Sequence, residues 1–505
     1  MSMAEKTMPD GHRKTRVVIA GGGTAGWMTA AATGKVLSEV AQVTLIESDA
    51  IGTVGVGEAT IPTLLTFNRL LGLDEAELMR RTRATFKLGI AFENWRTADH
   101  RYIHSFGITG KDHWTAGFQH FWRRGREDGV AKDFGDYCLE LVAAEQNRFA
   151  HLPDLGLNYA YHMDSSAYAR MLREMAEAAG VVRREGRIVS VARADCGDLQ
   201  SVTMEDGRVV EGDLFVDCTG FRALLIEGAL NVGFEDWSHW LPVDRAYAVQ
   251  TRSVGEPRPY TRAIGHEAGW RWQIPLQQRT GNGIVYSSRY MADEAAREKL
   301  LSDVDGEPIT EPRLIRFRSG TRRRHWHRNC VAIGLSSGFL EPLESTSIHL
   351  IQRSVMRLMQ MFPAGGRVSE ADVAEFNAQT VFELEHIRDL IILHYNLTER
   401  DDAPFWNHVR LMDVPETLTH RYDLFRETGR VFRANDELFA ENSWVQVMLG
   451  QGLMPQSHHP VADMMNPAEL RDFLAHIDSN VRRTVAGLPS HQAYLQSYCR
   501  TAQAA

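Results

Sequence analysis

Cysteine is scarce: there are five in 505 residues, Cys138, Cys196, Cys218, Cys330 and Cys499. The number is odd and no two stand in a C-x-x-C spacing, which leaves no basis for a disulfide framework or a zinc ribbon. The histidine pairs His325/His327 and His458/His459 lack further ligands at helical or knuckle spacing, so no metal is expected. Long apolar runs are also missing. Nothing approaches the roughly 20 uninterrupted apolar residues that a membrane helix needs, and the opening MSMAEKTMPDGHRKTR lacks the apolar centre of a secretory signal. A cytoplasmic chain with reduced thiols is the expectation, with no membrane partner. Positive charge is not in excess, because the formal net charge is -9. No field for phosphate backbones exists, and nucleic acid is excluded as a partner. No internal repeat or low-complexity linker marks off a detachable second domain.

What is present is an ordinary globular make-up, 44% hydrophobic and 24% charged, with length enough for two structural regions. From Arg16 the chain reads RVVIA, then GGGTAG, then WMTAAATGKVL, then QVTLIE ending on Glu47. That order is strand, turn, helix, strand within about thirty residues, the opening of a doubly wound dinucleotide fold. Between Tyr247 and Arg289 the runs AYAVQT, TRAIG, WRWQIPL and IVYSS predict an antiparallel sheet, with QRTGNG as a hairpin turn. DLFVDCTG and CVAIG predict two returning strands that end in glycine, at Gly220 and Gly334. After about Ser347 helical periodicity takes over, clearest in SIHLIQRSVMRLMQMF and EADVAEFNAQTVFELEHIRDLIILHY. The expected fold is α/β: a doubly wound, Rossmann-like fold interleaved with an antiparallel sheet, followed by a mainly helical region. The expected boundaries are 14–360 and 361–505.

The run Gly21-Gly22-Gly23-Thr24-Ala25-Gly26 satisfies G-x-G-x-x-G directly between a strand and a helix. Gly21 permits the tight turn, Gly23 admits a pyrophosphate to the backbone, and Gly26 lets the helix pack on the strand. Glu47, about twenty residues on, ends the second strand where a carboxylate can accept from ribose hydroxyls. FAD and NAD both remain open on this motif. A second glycine-rich loop, Gly52 to Thr60, offers backbone to a flat ring system and favours FAD. The other glycine pair, Gly281/Gly283, is read as part of the hairpin turn and opens no helix. Without a second fingerprint, reduction of the flavin by a separate reductase is expected.

Three further segments carry chemistry. In ATFKLGIAFENW, Phe86, Leu88, Ile90 and Phe92 alternate with Lys87, Gly89 and Ala91, the pattern of one strand with small residues around a single lysine. Taken alone, such a lysine more often faces solvent. In WRWQIP, Trp270 and Trp272 share one strand face, as core or as the wall of a site. In GFLEPLESTS, Glu341 and Glu344 precede hydroxyls that read as a helix N-cap, whose free N–H groups suit an anion.

Together these segments make the chain recognisable. GGGTAGW, GVGEATIP, FKLGIAFENW, WRWQIP and FLEPLEST fall in the order found in flavin-dependent halogenases typified by tryptophan halogenases, and the chain resembles that family from the glycine fingerprint to about Gly452. The W-x-W-x-I-P element is the discriminating one. The resemblance implies that FADH2 from a flavin reductase, with O2, converts chloride or bromide into hypohalous acid. This acid then travels to a separate pocket and halogenates an electron-rich aromatic, such as indole or a tryptophan-like compound. It implies Lys87 as the catalytic lysine, Glu344 as the glutamate that assists loss of the ring proton, and Thr346 and Ser347 as the halide positions. Trp270 and Trp272 would keep substrate from the flavin, while His104 and Phe106 would sandwich its ring and Trp444 would contact it. The implied cofactor contacts are Gly21, Gly23, Thr24, Ala25, Gly26, Glu47, Val56, Gly57, Glu58, Ala59, Val189, Gly334, Leu335 and Ile348. A homodimer is common in the family. Ser347 stands where glycine is usual, which a negative φ would tolerate. No clear groups for an amino acid's carboxylate and ammonium appear around Glu441-Asn442-Ser443-Trp444. Two alternatives share the fold: an FAD-dependent aromatic hydroxylase, and a flavin-binding protein without turnover.

Overall fold

A computed structural model describes residues 13–50, 57–151 and 156–501. Val56, expected at the cofactor, lies outside them. The apolar run after Arg16 forms the strand Thr15–Ala20 at the centre of a six-stranded sheet. Its neighbours Ala41–Glu47 and Leu214–Asp217 run parallel to it, and Val182–Glu185 and Cys330–Ala332 extend the parallel array on either side. Trp326–His327 closes one edge antiparallel. Central parallel strands are covered on both faces, which is why they read as continuous apolar runs rather than alternating ones. The helix Thr24–Leu37, buried along most of its length, follows the glycine turn directly.

A seven-stranded sheet stands beside this fold, in the order Arg313–Arg316, Arg245–Arg252, Arg279–Tyr286, Gly269–Pro275, Thr261–His266, Gly89–Glu93 and Arg101–Ser105. All neighbouring pairs are antiparallel except Thr261–His266 with Gly89–Glu93. The C-terminal part is helical, including Ser347–Gln360 and the 27-residue helix Glu370–Asn396. The last helix, His491–Thr501, returns to the first half of the chain, where His491 Nε2 accepts from Phe86 N at 3.2 Å. The fold class expected from the sequence is the one observed. Among the described residues no helix is long and apolar enough to cross a membrane.

Two local expectations are corrected. The lysine segment is not one strand. Thr85–Lys87 pairs with Ala160–Met163 in a small separate sheet, whereas Gly89–Glu93 joins the seven-stranded one. Leu88 makes the crossing, donating to Pro259 O at 2.7 Å while its carbonyl accepts from Phe106 N at 2.9 Å. Alternation could not reveal this, because both faces are buried on both sides of the crossing.

The glycine pair 281/283 is not in the turn either. Leu276 N donates to Arg279 O across Gln277 and Gln278, and both glycines lie inside the strand Arg279–Tyr286. Gly283 is opposite Trp272, and a Cβ at 283 would stand 2.0 Å from Trp272 Cζ2. The glycine is a seat for the indole. Gly283→Ala should therefore destabilise the protein by about 1–3 kcal/mol through overpacking, read from urea unfolding; an unchanged midpoint would refute the seat.

Candidate active site

A cavity of about 300 Å³ opens at the carboxyl ends of three parallel strands. It is lined by Gly23, Thr24 and Ala25 after the first strand, Cys218, Gly220 and Phe221 after Leu214–Asp217, and Leu335 after Cys330–Ala332. That is the edge where doubly wound folds take nucleotides. Gly57, Glu58, Ala59, Trp270, Trp272, Ser347 and Ile348 complete the wall together with other residues. Gly334 lies alongside, so close that a Cβ there would meet Ala25 Cβ at 2.8 Å.

The glycine loop fits a dinucleotide. Gly21 has φ 106°, and a Cβ on it would meet Cys218 O at 2.3 Å; on Gly26 it would meet Gly21 O at 1.9 Å. These two glycines are required by the protein's own packing. Gly23 is not, since a Cβ there would meet nothing within 4 Å. Its bareness leaves open space in front of the helix N-terminus, where the backbone N–H groups favour an anion. Glu47 sits against the loop with Oε2 accepting from Trp27 Nε1 at 3.3 Å and Oε1 from Arg183 Nε at 2.6 Å. Glu58 on the cavity wall has its carboxyl pushed up to about 7 by burial. Val189 does not line the cavity; it is 60% exposed on the strand Ile188–Arg193 of another sheet.

One short segment separates this cavity from a second site. Pro342–Glu344 is a 3₁₀ turn leading into the helix Ser347–Gln360. Pro342, Leu343 and Ser345 face the cavity, whereas Glu344 between them is buried on the other side. Ser345 takes φ 59°, ψ 33°, a left-handed conformation that is costly for a non-glycine residue. The departure from glycine at 347 brings no backbone strain: the left-handed residue is Ser345, and Ser347 opens the helix without a positive φ. The expected hydroxyl N-cap is absent, since Thr346 occupies that position and makes no side-chain cap hydrogen bond.

Lys87 reaches the turn from the end of its strand. It is fully buried, and its Nζ donates to Ser345 Oγ at 2.8 Å and to Thr60 O at 3.0 Å, with the Phe106 ring centroid 5.1 Å away. Burial pulls its pKa down to about 7, and Glu344 acts against that pull. Glu344 is held by two imidazoles. Oε2 lies 2.9 Å from His104 Nδ1, and Oε1 lies 2.6 Å from His394 Nε2. Burial alone would raise its carboxyl, yet the two histidines overcome this and hold it at about 2. His104 also packs against the Phe439 ring at 6.0 Å.

The Trp270 and Trp272 rings lie 6.1 Å apart on the cavity side. Trp270 Nε1 donates to Glu341 Oε1 at 3.2 Å, where Tyr395 Oη also donates at 2.6 Å. Trp272 Nε1 is buried without a partner. Trp444 is not at either site: it is fully buried, with its N–H on Glu437 Oε1 at 2.7 Å and the Arg421 guanidinium 3.9 Å from its ring.

Sequence reading had Glu341 and Ser345 only as members of a carboxylate and N-cap segment, and it missed Tyr102 and His394. A histidine directly after the apolar run Leu390–Leu393 was the available sign of His394, but such a histidine is equally well a satisfied core residue.

A cavity at the carboxyl ends of parallel strands behind a glycine turn, with Lys87 and Glu344 buried at the turn that bounds it, is the arrangement of a dinucleotide-dependent enzyme. Comparison with known proteins narrows this. Residues 16–467 match the family model described as tryptophan halogenase. The chain is 36% identical over 522 residues to the tryptophan 7-halogenase of Lentzea aerocolonigenes, covering 95% of this chain and 98% of that protein. A flavin-dependent halogenase from Xanthomonas campestris superposes with a TM-score of 0.95 at 59% identity, over 96% of this chain and 98% of that one. Another from Brevundimonas sp. BAL3 gives 0.92 at 45%, over 96% and 99%. The chain belongs to the tryptophan halogenase family and is a flavin-dependent halogenase that uses FADH2 from a separate reductase, with halide and O2.

The two buried groups both make stability rise with pH, each in its own interval. Glu344 is lowered from 4.5 to about 2, so its stabilising contribution is present above 4.5 and lost as pH falls towards 2. Lys87 is lowered from 10.5 to about 7, so across that interval the unfolded chain binds the extra proton and stability rises with pH. Lys87→Met should flatten that rise in urea unfolding measured across the same interval; a slope equal to the wild type would contradict the burial argument.

Proposed function

We propose that Lys87 and Glu344 form the halogenating site and that the substrate is an indole-like or tryptophan-like aromatic. The observation that carries this reading is the turn 342–345, which faces the cavity with Ser345 and the aromatic side with Glu344, while Lys87 touches the turn itself. When bound in the cavity, FAD supplies, with oxygen, the two-electron oxidation of halide to hypohalous acid. The residues meeting it are Gly21, Gly23, Thr24, Ala25, Gly26, Gly57, Glu58, Ala59, Gly334, Leu335 and Ile348, with Glu47 beside the loop. Thr346 and Ser347 offer halide their backbone at the helix N-terminus. Trp270 and Trp272 keep the aromatic ring out of the cavity.

Lys87 is poised between amine and ammonium near neutral pH. As ammonium it donates to the oxygen of hypohalous acid and polarises the oxygen–halogen bond. The ring's π electrons take the halogen, the oxygen–halogen bond breaks, and the departing oxygen takes a proton from the Lys87 ammonium to leave as water. The carbon–hydrogen bond then breaks, its electron pair restores aromaticity, and Glu344 receives the proton. A carboxylate held at about 2 is a sufficient base for so acidic a ring cation, and its charge stabilises that cation as it forms. Phe106 and His104 form the floor of this side.

Polar groups that an amino acid's head group would need are committed to the protein. Asn442 binds Thr109 N at 3.0 Å and Gly107 O at 2.7 Å, and Gln446 binds Ser105 N at 2.8 Å. Recognition through the ring alone follows, with indole itself sufficient. The relative from Lentzea aerocolonigenes is named for tryptophan, and tryptophan is the second reading. The parts 14–360 and 361–505 act as a halide-oxidising region and a helical region that completes the pocket. A homodimer receiving FADH2 by transient encounter with a cytoplasmic reductase is the working assembly.

With FAD, NADH, a flavin reductase and bromide or chloride, indole and tryptophan should give mono-halogenated products by mass spectrometry; a hydroxylated product would overturn the reading. Lys87→Ala should abolish product while FAD binding persists, and retained product would remove the lysine from the mechanism. Glu344→Gln should slow turnover by about a hundredfold or more, and a wild-type rate would dismiss its role.

A further inference from the structure

His394 is fully buried, yet it lies on a helix remote in sequence from every segment that shapes the site. Its ring is fixed from several directions. It stacks on Phe92 at 4.2 Å and 16°, and Phe92 stacks in turn on Tyr102 at 5.0 Å and 10°. Trp95 meets its edge at 5.9 Å and 66°. Both ring nitrogens are engaged: Nε2 lies 2.6 Å from Glu344 Oε1, and Nδ1 lies 2.7 Å from Tyr102 Oη. Tyr102 and His104 are two apart on the strand Arg101–Ser105 and so share a face. One face of one strand thus reaches Glu344 twice, directly through His104 and at one remove through Tyr102.

The donor and acceptor inventory sets the direction of this chain. Ionised Glu344 only accepts, so the proton on His394 must be on Nε2. Burial disfavours a charged His394, which is therefore neutral and leaves Nδ1 bare. Burial likewise raises the phenol of Tyr102, which keeps its proton and donates it to that bare nitrogen. Nothing else among the described hydrogen bonds reaches Nδ1. If the Tyr102 hydroxyl is removed, Nδ1 is left as a buried acceptor without a donor, and the Nε2-protonated tautomer loses part of the preference that Glu344 and Tyr102 give it together.

We propose that Tyr102 and His394 are positioning residues for halogenation: Tyr102 selects the His394 tautomer that donates to Glu344, and this donation holds the carboxylate ionised and aimed at the ring proton. The inference rests on the catalytic reading of Glu344. Neither residue touches the substrate, so the effect falls on kcat and leaves KM and FAD affinity unchanged.

The test is a double-mutant cycle in the full chain with its reductase, using indole and bromide. Tyr102→Phe and His394→Leu should each lower kcat about tenfold or more, the scale of one hydrogen bond to a charged group. His394→Gln should recover most of the loss, since an amide N–H can donate without a tautomer to select. Tyr102→Phe should then add nothing to His394→Gln. Full additivity, or a wild-type kcat for Tyr102→Phe, would overturn the proposal. Nitrogen-15 NMR of histidine-labelled protein gives a second readout that needs no turnover. His394 Nδ1 should appear unprotonated in the wild type and shift towards the protonated range in Tyr102→Phe; a protonated Nδ1 in the wild type would overturn the proposal. A wild-type rate for Glu344→Gln alongside the expected nitrogen shifts would remove the glutamate's catalytic role while upholding the tautomer selection.

Discussion

Removing a lysine and a glutamate from water is expensive, and the arrangement around Lys87 and Glu344 follows from how that cost is met. The lysine has a carbonyl, a hydroxyl and an aromatic face; the glutamate has two imidazoles. The groups of this cluster come from five separate stretches of chain: Thr60, Lys87, the segment Arg101–Phe106, the turn at Glu344 and Ser345, and the long helix Glu370–Asn396. Such a site exists only once all of them have come together. The helical C-terminal part is thus as necessary to this cluster as the sheets are.

The same charges explain the wall. The left-handed Ser345 turns the chain so that consecutive residues face opposite sides, one to the cavity and one to the histidines. Strain of this kind persists where surrounding contacts over-determine it, and here the lysine hydrogen bond and the start of a helix do so. The double tryptophan layer continues the partition, seated in the sheet by the missing side chain at Gly283. In the proposed reading, oxidation of halide and attack on a ring fall on the two sides of this turn.

Much of the fold was legible because it is local. The glycine turn, the strand before it, the helix after it and the long C-terminal helices are each dictated by short-range pattern, and each is found. The errors were equally local in origin. Lys87 sits at a crossing between two sheets that are both buried, so no alternation marks the break. Gly281 and Gly283 resemble a turn by composition, but both lie inside a strand, where Gly283 seats a neighbouring strand's indole. Val189 and Trp444 have no pattern that tells an exposed edge or a closed core from a lining position.

By itself the sequence marked a glycine turn between a strand and a helix and picked out Lys87, Glu344, Trp270 and Trp272, because those features are carried by residue type and by spacing within short segments. Only the tertiary structure decided that Glu344 lies across a wall from the cavity, that Ser345 joins it to Lys87, and that His394 and Tyr102 support it. Those relations connect residues up to 292 apart in the chain, where spacing conveys nothing and only packing brings donor to acceptor.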